Sequence, residues 1–303
     1  MRILHVDTGR ELRGGQRQVL LLLEGLRAAG EDCLLLARPG SPLFQTASAA
    51  GLPVYPASLL ALRQHSKVSD IVHAHDARAH TLAALGARAP FVVSRRVAFP
   101  VQRSLFSRWK YRQAARFLAV SQFVGAELAR GGISKNKIDI VYDGVPPDLT
   151  PASWNPANPA VALASFDPGK GRDLVTEAAR LAGCSVIYSN DLPKDLIHAS
   201  MFLYMTRAEG LGSAALLAMS MGVPVIASNV GGLPEALGHG EAGILVANNP
   251  NEIAAAIRRI REDFTLGQTL IERGKKRVAV WFTAQRMVEG TLASYRRALC
   301  RLK

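Results

Sequence analysis

The residues of this 303-residue chain best suited to chemistry lie at the ends of apolar segments. Glu209 stands in AEGLGSAALLAMSMGVPVIASNVGGLPEA (208–236), directly before Gly210-Leu211-Gly212 and a small-residue run that begins at Ser213. If that run is a helix, its first backbone N–H groups, at 211 to 214, have no partner within it, and its dipole favours an anion. A carboxylate repels an anion but accepts hydrogen bonds from hydroxyls. Glu209 beside such a helix start therefore suits a ligand carrying both sugar hydroxyls and phosphate. SFDPGKGRDL (165–174) adds Lys170 and Arg172, cations placed to neutralise a departing diphosphate. GRELRGGQRQ (9–18) adds Gly14 and Gly15, which let backbone approach a ligand closely, but without the spacing that grips a dinucleotide.

Two further groups have chemical potential. VHAHDAR (72–78) places His73, His75 and Asp76 at a strand end; His75 is expected to hydrogen-bond in a cleft and His73, on the alternate face, to sit in the core. An H-x-H pair invites a metal, but no third ligand is apparent and no metal site is expected. From Arg95 to Arg116 the chain reads RRVAFPVQRSLFSRWKYRQAAR, with Arg95, Arg96, Arg103, Arg108, Lys110, Arg112 and Arg116 and no acid. Basic residues interleaved with Phe99, Leu105, Phe106, Trp109 and Tyr111 suit a membrane interface or an anionic acceptor. They also suit stacking on nucleic acid, yet nothing else in the chain resembles a nucleic-acid module. A solvated helix packed through Phe106 and Trp109 is the plain structural alternative.

The elements that must hold these groups alternate. RILHVD, DCLLLAR, LPVYPA, SDIVHAH, FVVSRR, RFLAVS and KIDIVYDGV read as strands, with helical spacing between most of them. Proline-rich DGVPPDLTPASWNPANP reads as a linker, after which AVALASF, CSVIYS, MFLYMT, VPVIAS and GILVA restart the pattern. The expected fold is α/β: two Rossmann-like domains facing across a cleft, residues 1–150 and 158–280, with the terminal segment 281–303 packing back onto the first. In open parallel sheets the ligand sites lie outside the carboxyl ends of the strands, where both glycine loops fall.

Composition narrows the class. Hydrophobic residues make up 49% and charged residues 20%, an ordinary globular balance without disorder or repeats. Three scattered cysteines, Cys33, Cys184 and Cys300, argue against a disulfide framework or zinc site and suit a reducing cytoplasm. No run approaches the roughly 20 apolar residues that span a bilayer, and the start has no apolar leader core. A net charge of +13 attracts anions. The expected location is cytoplasmic, peripheral on the inner membrane.

At this point the chain resembles a known family. D-P-G-K-G before a helix, then A-E-G-L-G-S-A-A-L-L-A-M-S-M-G-V-P-V-I-A-S-N-V-G-G-L-P-E, resembles the retaining glycosyltransferases of family 4, which have the GT-B fold. GGQRQVLLLLEGLRAAG, DIVHAH and AVSQFVGAELARGGI…IVYDGV resemble that family's first half, so the likeness covers nearly the whole chain. It implies that Gly14 and Gly15 belong to a loop closing on the donor phosphate and that Lys170 contacts the diphosphate. It implies that Glu209 is the first acid of a Glu–seven–Glu motif holding the donor sugar, with Gly210, Leu211, Gly212 and Ser213 as the backbone beneath it. It further implies an acceptor side in the first domain, where His75, Arg95 and Arg96 lie, and a reaction needing neither cofactor nor metal. Some positions depart from the pattern: the second acid is Leu217, the arginine ahead of the lysine is Ser165, and the segment between CSVIYS and LPKDL is short.

The expected function is transfer of a sugar from a nucleotide sugar to a glycan or lipid-linked, lipopolysaccharide-like acceptor, with Glu209 and Lys170 as the catalytic pair. Partners are the nucleotide sugar, the acceptor and a membrane surface through residues 95–116, with no nucleic acid. Two alternatives stay open: a nucleotide-sugar epimerase, which needs further carboxylates converging on the sugar, and a catalytically weakened sugar-nucleotide-binding protein, suggested by Leu217 and Ser165.

Overall fold

The computed structural model describes residues 1–102 and 104–300; Arg103 of the basic run and residues 301–303 of the terminal segment lie outside the described residues. The chain forms two compact units, Met1–Gly144 with Ala284–Lys303, and Val145–Thr283.

The first unit runs β1 (Arg2–Asp7), α1 (Gly14–Ala28), β2 (Asp32–Ala37), α2 (Pro42–Ala49), β3 (Val54–Pro56), α3 (Leu59–Ser66), β4 (Ile71–Ala74), α4 (Ala77–Gly86), β5 (Phe91–Arg95), α5 (Leu105–Gln113), β6 (Arg116–Ala119), α6 (Gln122–Arg130) and β7 (Ile138–Ile140). Its strands form one parallel sheet in the order β3-β2-β1-β4-β5-β6-β7. Strand order reverses at β1, which pairs with both β2 and β4, so the loops after β1 and β4 open side by side at the switch point. The strands are apolar runs because helices cover both faces. Leu22, Leu23 and Leu26 of α1 pack with Ile3, Leu35 and Ile71 of the sheet.

The second unit runs β8 (Ala160–Leu163), α7 (Arg172–Ala182), β9 (Val186–Ser189), α8 (Leu192–Leu196), β10 (Phe202–Tyr204), α9 (Ser213–Met221), β11 (Val225–Ser228), α10 (Leu233–Ala236), β12 (Ile244–Val246), α11 (Pro250–Glu262) and α12 (Phe264–Trp281). Its parallel sheet has the order β12-β11-β10-β8-β9. Its core joins Val175 and Ala178 of α7, Ile253 and Ile257 of α11, and Leu203 and Ile226 of the sheet.

The last helix, α13 (Ala284–Cys300), belongs to the first unit. It buries Met287, Val288, Leu292 and Tyr295 in the same core as α1. It also supplies Ser294 and Arg297 to Asp139 of β7, at 2.7 and 2.9 Å, where Arg116 of β6 already donates at 2.5 and 2.7 Å. Burial pushes the Asp139 carboxyl up, but bonds from Arg116 and Ser294 outweigh it and hold it below its ordinary range.

Four features differ from the sequence reading. The unit boundary falls at Gly144–Val145 rather than at 150–158. The proline-rich segment is a fastened strap: Trp154 meets the Phe264 ring at a tilt and donates to the Ser200 carbonyl at 2.7 Å, and the Ala152 N–H donates to the Met221 carbonyl at 2.7 Å. The α1 helix begins at Gly14, so the glycine pair forms its first turn rather than the loop before it. An extra helix, α3, fills the stretch before β4. Among the described residues, no helix is long and apolar enough to cross a membrane.

Candidate functional site

In the second unit β10 lies at the middle of the sheet and ends at Tyr204. The chain turns through Thr206, Arg207 and Ala208 before Glu209. That turn is fastened to the Pro168–Lys170 turn, because the Gly169 carbonyl accepts from Thr206 Oγ1 at 3.1 Å and from the Arg207 N–H at 2.8 Å. On its other side the Thr206 N–H donates to Ser228 at the end of β11 (2.9 Å), and Asn248 donates to the Thr206 carbonyl (3.0 Å). The two loops thereby bring together side chains 39 residues apart: Lys170 Nζ lies 3.3 Å from Glu209 Oε2.

Glu209 is held on three sides. The Tyr204 hydroxyl donates to Oε2 at 2.5 Å, Lys170 reaches the same oxygen, and the Gly210 N–H donates to Oε1 at 3.0 Å. Burial, then the Glu209 charge and this hydrogen bond, push the Tyr204 phenol well above its ordinary range, so it remains a donor. The carboxylate and ammonium still reach solvent, with side-chain exposures of 17% and 32%. The arrangement is a fixed carboxylate with a half-buried cation beside it.

The glycines of the opening motif explain how close the backbone comes. A Cβ on Gly231 would stand 2.0 Å from the Glu209 carbonyl oxygen, and one on Gly232 would stand 2.0 Å from that of Gly210. The Gly232 N–H donates to the Glu209 carbonyl at 3.0 Å. The GGLPE turn is therefore the floor on which Glu209 rests. Gly212, at φ 104°, occupies the left-handed region that a residue with a side chain avoids. It launches α9 at Ser213 with no side-chain cap and no acid in the first turn. Leu211 is buried beneath the turn, and Leu217 is half-buried one turn into the helix.

Arg172 opens α7, but rings hold it: its guanidinium lies 4.1 Å from the Tyr188 ring centroid and 4.8 Å from that of Phe166. Lys170 and Glu209 are thus in contact, while Arg172 is engaged by the aromatic pair at the β9 edge.

In the first unit Gly14 and Gly15 open α1 behind an extended Arg13, again with no side-chain cap and no acid in the first turn. A Cβ on either glycine would meet nothing within 4 Å, so packing does not require them. Beside them Asp7, at the end of β1, accepts from the Gly9 N–H at 2.8 Å and from Gln16 at 3.2 Å. Burial and the nearby Asp76 charge push the Asp7 carboxyl up.

The third histidine that the sequence reading did not find is His5. Pairing of β1 with β4 sets it opposite His73, and one ring nitrogen from each of His5, His73 and His75 falls within 4.8 Å of the others, the kind of group that could hold a metal. Hydrogen bonds engage every ring nitrogen of the three except His5 Nε2. His73 bonds Tyr295 Oη at 2.6 Å and Ser94 Oγ at 2.8 Å, and His5 Nδ1 meets His75 Nε2 at 2.9 Å. Arg96 can only donate, so its 3.4 Å contact makes His75 Nδ1 an acceptor and puts the ring proton on Nε2. His75 then donates to His5 Nδ1, and His5 carries its own proton on Nε2, a buried atom with no partner. Burial, reinforced by neighbouring cationic and imidazole groups, pulls all three well below the ordinary imidazole range, His5 to about 3.

Arg96 Nε also donates to Asp143 at 3.0 Å, while Arg95 donates to Tyr111 at 3.1 Å. The basic run is therefore largely internal. Arg116 is buried against Asp139, Arg96 is spent on Asp143 and His75, and Lys110 reaches Thr81 and the Ala77 carbonyl on α4. The sequence reading missed Tyr204, His5 and Asp143. A tyrosine closing an apolar strand just before a carboxylate was the available signal for the first.

Comparison with known proteins fits this architecture. The family model described as Glycosyltransferase Family 4 matches residues 12–149, and the one described as Glycosyl transferases group 1 matches residues 168–263. An uncharacterized glycosyltransferase of Methanocaldococcus jannaschii is 24% identical over 59% of this chain and 60% of its own length. The D-inositol 3-phosphate glycosyltransferase of Acidothermus cellulolyticus is 33% identical over 38% of this chain and 27% of its own length. The chain thus spans less than two thirds of these curated relatives. Among solved structures, Anabaena HepE with UDP and glucose superposes at a TM-score of 0.85, with 18% identity over 98% of this chain and 99% of that one. Sucrose-phosphate synthase of Thermosynechococcus elongatus superposes at 0.76, with 19% identity over 99% and 100%. With a glycosyltransferase match in each unit and two parallel Rossmann-like sheets, the chain is a family-4-like glycosyltransferase with the GT-B fold.

Proposed function

We propose that this chain transfers a sugar from a nucleotide-sugar donor to a glycan or lipid-linked, lipopolysaccharide-like acceptor, with retention of anomeric configuration and without metal or cofactor. One observation carries the reading: a carboxylate fixed by Tyr204 and Lys170 sits on the backbone that launches α9. Glu209 accepts the donor's sugar hydroxyls, and the turn Gly210-Leu211-Gly212 with the first N–H groups of α9, from Ser213, faces the diphosphate. Lys170 turns its ammonium toward the leaving diphosphate, and Arg172 adds charge nearby. In the first unit Gly14 and Gly15 offer another uncapped helix start to an anion, and His75, Arg95 and Arg96 form the acceptor side.

In the transfer, the bond from the anomeric carbon to the diphosphate oxygen breaks. The acceptor hydroxyl oxygen bonds that carbon on the same face, and its proton passes to the departing phosphate. The HepE structures with UDP and with UDP-glucose support the donor class. A second reading, a donor-binding protein with weakened catalysis, draws on apolar Leu217 at the place of the second acid. Each lost charged hydrogen bond costs about 1.5–3 kcal/mol. An epimerase would need another carboxylate facing Glu209, whereas the groups bonding it are Tyr204, Lys170 and Gly210.

Calorimetry with UDP-, GDP- and ADP-sugars, followed by turnover in EDTA and NMR of the product's anomeric centre, tests this. Binding of one donor and a retained anomer are expected. Failure of every donor to bind sinks the proposal, an inverted product sinks retention, and loss of turnover in EDTA sinks metal independence.

A further inference from the structure

The α5 helix is built inside out for a soluble surface. Two of its polar side chains face the protein: Lys110 reaches Thr81 at 3.3 Å and the Ala77 carbonyl at 3.4 Å, and Ser107 is buried. Tyr111 stacks on Phe117 and meets His80 edge-on. Its apolar side faces out, with Leu105 83%, Phe106 53% and Trp109 38% exposed. At 3.6 residues per turn Leu105 and Trp109 share one line, with Phe106 beside them. The Phe106 and Trp109 rings touch, with centroids 5.6 Å apart, so the exposed surface is a single apolar ridge.

Arg108 and Arg112, both exposed, form the adjoining line of the same helix. They border a depression of about 490 Å³ that Arg130 and Lys137 also line, with Tyr111 and Ile133 at its wall. Arg130 pairs with Glu127, and Lys137 donates to the carbonyls of Arg112 and Ala114 at 3.3 and 3.0 Å, which holds both cations at this rim. An apolar ridge beside a cationic rim matches the two layers of a lipid interface, with acyl chains under the ridge and anionic headgroups at the rim.

We propose that α5 docks this protein on an anionic phospholipid bilayer, with Trp109, Phe106 and Leu105 in the headgroup–acyl boundary and Arg108 and Arg112 on lipid phosphates. Charge selects the occupant, because the exposed Arg108 and Arg112 stand at a rim that Arg130 and Lys137 also line. The lipid site is independent of the donor site, so it is read without donor or acceptor.

The test is co-sedimentation of the full chain with phosphatidylcholine vesicles, with and without phosphatidylglycerol, together with tryptophan emission. The expected result is binding only to the phosphatidylglycerol vesicles, weakened by salt, with a blue-shifted emission that Trp109→Phe removes. Arg108→Gln with Arg112→Gln should lower partitioning about 30-fold. Both side chains are exposed, so the thermal melt should stay unchanged and donor binding intact. Three results overturn the proposal: equal binding to neutral vesicles, a double variant that binds as the wild type does, or variants that change only self-association or oligonucleotide binding.

Discussion

Replacing His80 with phenylalanine should make the protein less sensitive to acid, although it removes a hydrogen bond. His80 lies under α5, 2% exposed, among Phe91, Tyr111 and Phe117, with Nε2 3.2 Å from the Lys110 carbonyl. Burial first, then the charges of Lys110 and Arg95, pull its pKa down to about 3. An unfolded chain protonates the same ring near its ordinary value of about 6.5. The folded pKa lies below the unfolded one, so the unfolded state binds the extra proton, and stability falls with pH from about 6.5 until about 3. At pH 5 the single ring costs about 2 kcal/mol relative to pH 7.5. His5, also held at about 3, adds a similar loss, and His73 and His75 push the same way.

Phenylalanine keeps the ring and its aromatic neighbours but cannot be protonated. Losing the bond to the Lys110 carbonyl should cost about 1 kcal/mol at pH 7.5. The quantity that decides is a double difference. Urea unfolding of wild type and His80→Phe at pH 7.5 and pH 5 should give a variant that loses about 2 kcal/mol less on acidification. Asp7, whose raised carboxyl works in the opposite direction, is common to both proteins and cancels. Equal pH dependence in the two proteins would refute the buried, neutral assignment of His80.

Three other outcomes follow from particular contacts. Tyr204→Phe should keep the fold but free one side of Glu209, lowering kcat/KM by about tenfold; steady-state kinetics with the bound donor reads it, and an unchanged value removes Tyr204 from the site. Gly232→Ala should destabilise the second unit by several kcal/mol (about 3 or more), because its Cβ would land on the Gly210 carbonyl; a wild-type melting temperature counts against this packing. Asp139→Asn leaves Arg116 buried with its charge unmet and should cost about 3–5 kcal/mol at pH 7; urea denaturation measures it, and a loss below about 1 kcal/mol contradicts a strong ion pair.

Much of the fold was readable because parallel strands buried on both faces are unbroken apolar runs, and RILHVD, MFLYMT and VPVIAS are such runs. Lys170 and Glu209 were readable for a related reason: each ends a strand-to-helix turn at the same sheet edge. What escaped depended on contacts that no local pattern carries. The Pro-rich segment read as a linker because prolines break periodicity, but Trp154 in its middle is half-buried, held by the Phe264 ring and the Ser200 carbonyl. The basic run read as surface because its charges were counted, not paired; Asp139 and Asp143, more than twenty residues away, claim Arg116 and Arg96. His5 was invisible for the opposite reason, since one histidine in an apolar strand gives no hint that His73 of β4 and His75 just after it will lie beside it.

The return of α13 to the first unit sets an order on biosynthesis. The second unit, Val145–Thr283, leaves the ribosome as one uninterrupted stretch and can complete its own sheet. The first unit cannot, because Tyr295, the partner of His73 from 222 residues downstream, emerges only after the whole of the second. Until then the core around α1 lacks Met287, Val288 and Leu292, and Asp139 lacks Ser294 and Arg297. A nascent chain halted before residue 284 therefore presents a finished second unit behind an open first one. That open face is what a ribosome-bound chaperone would meet, and what a protease would find in a truncated product.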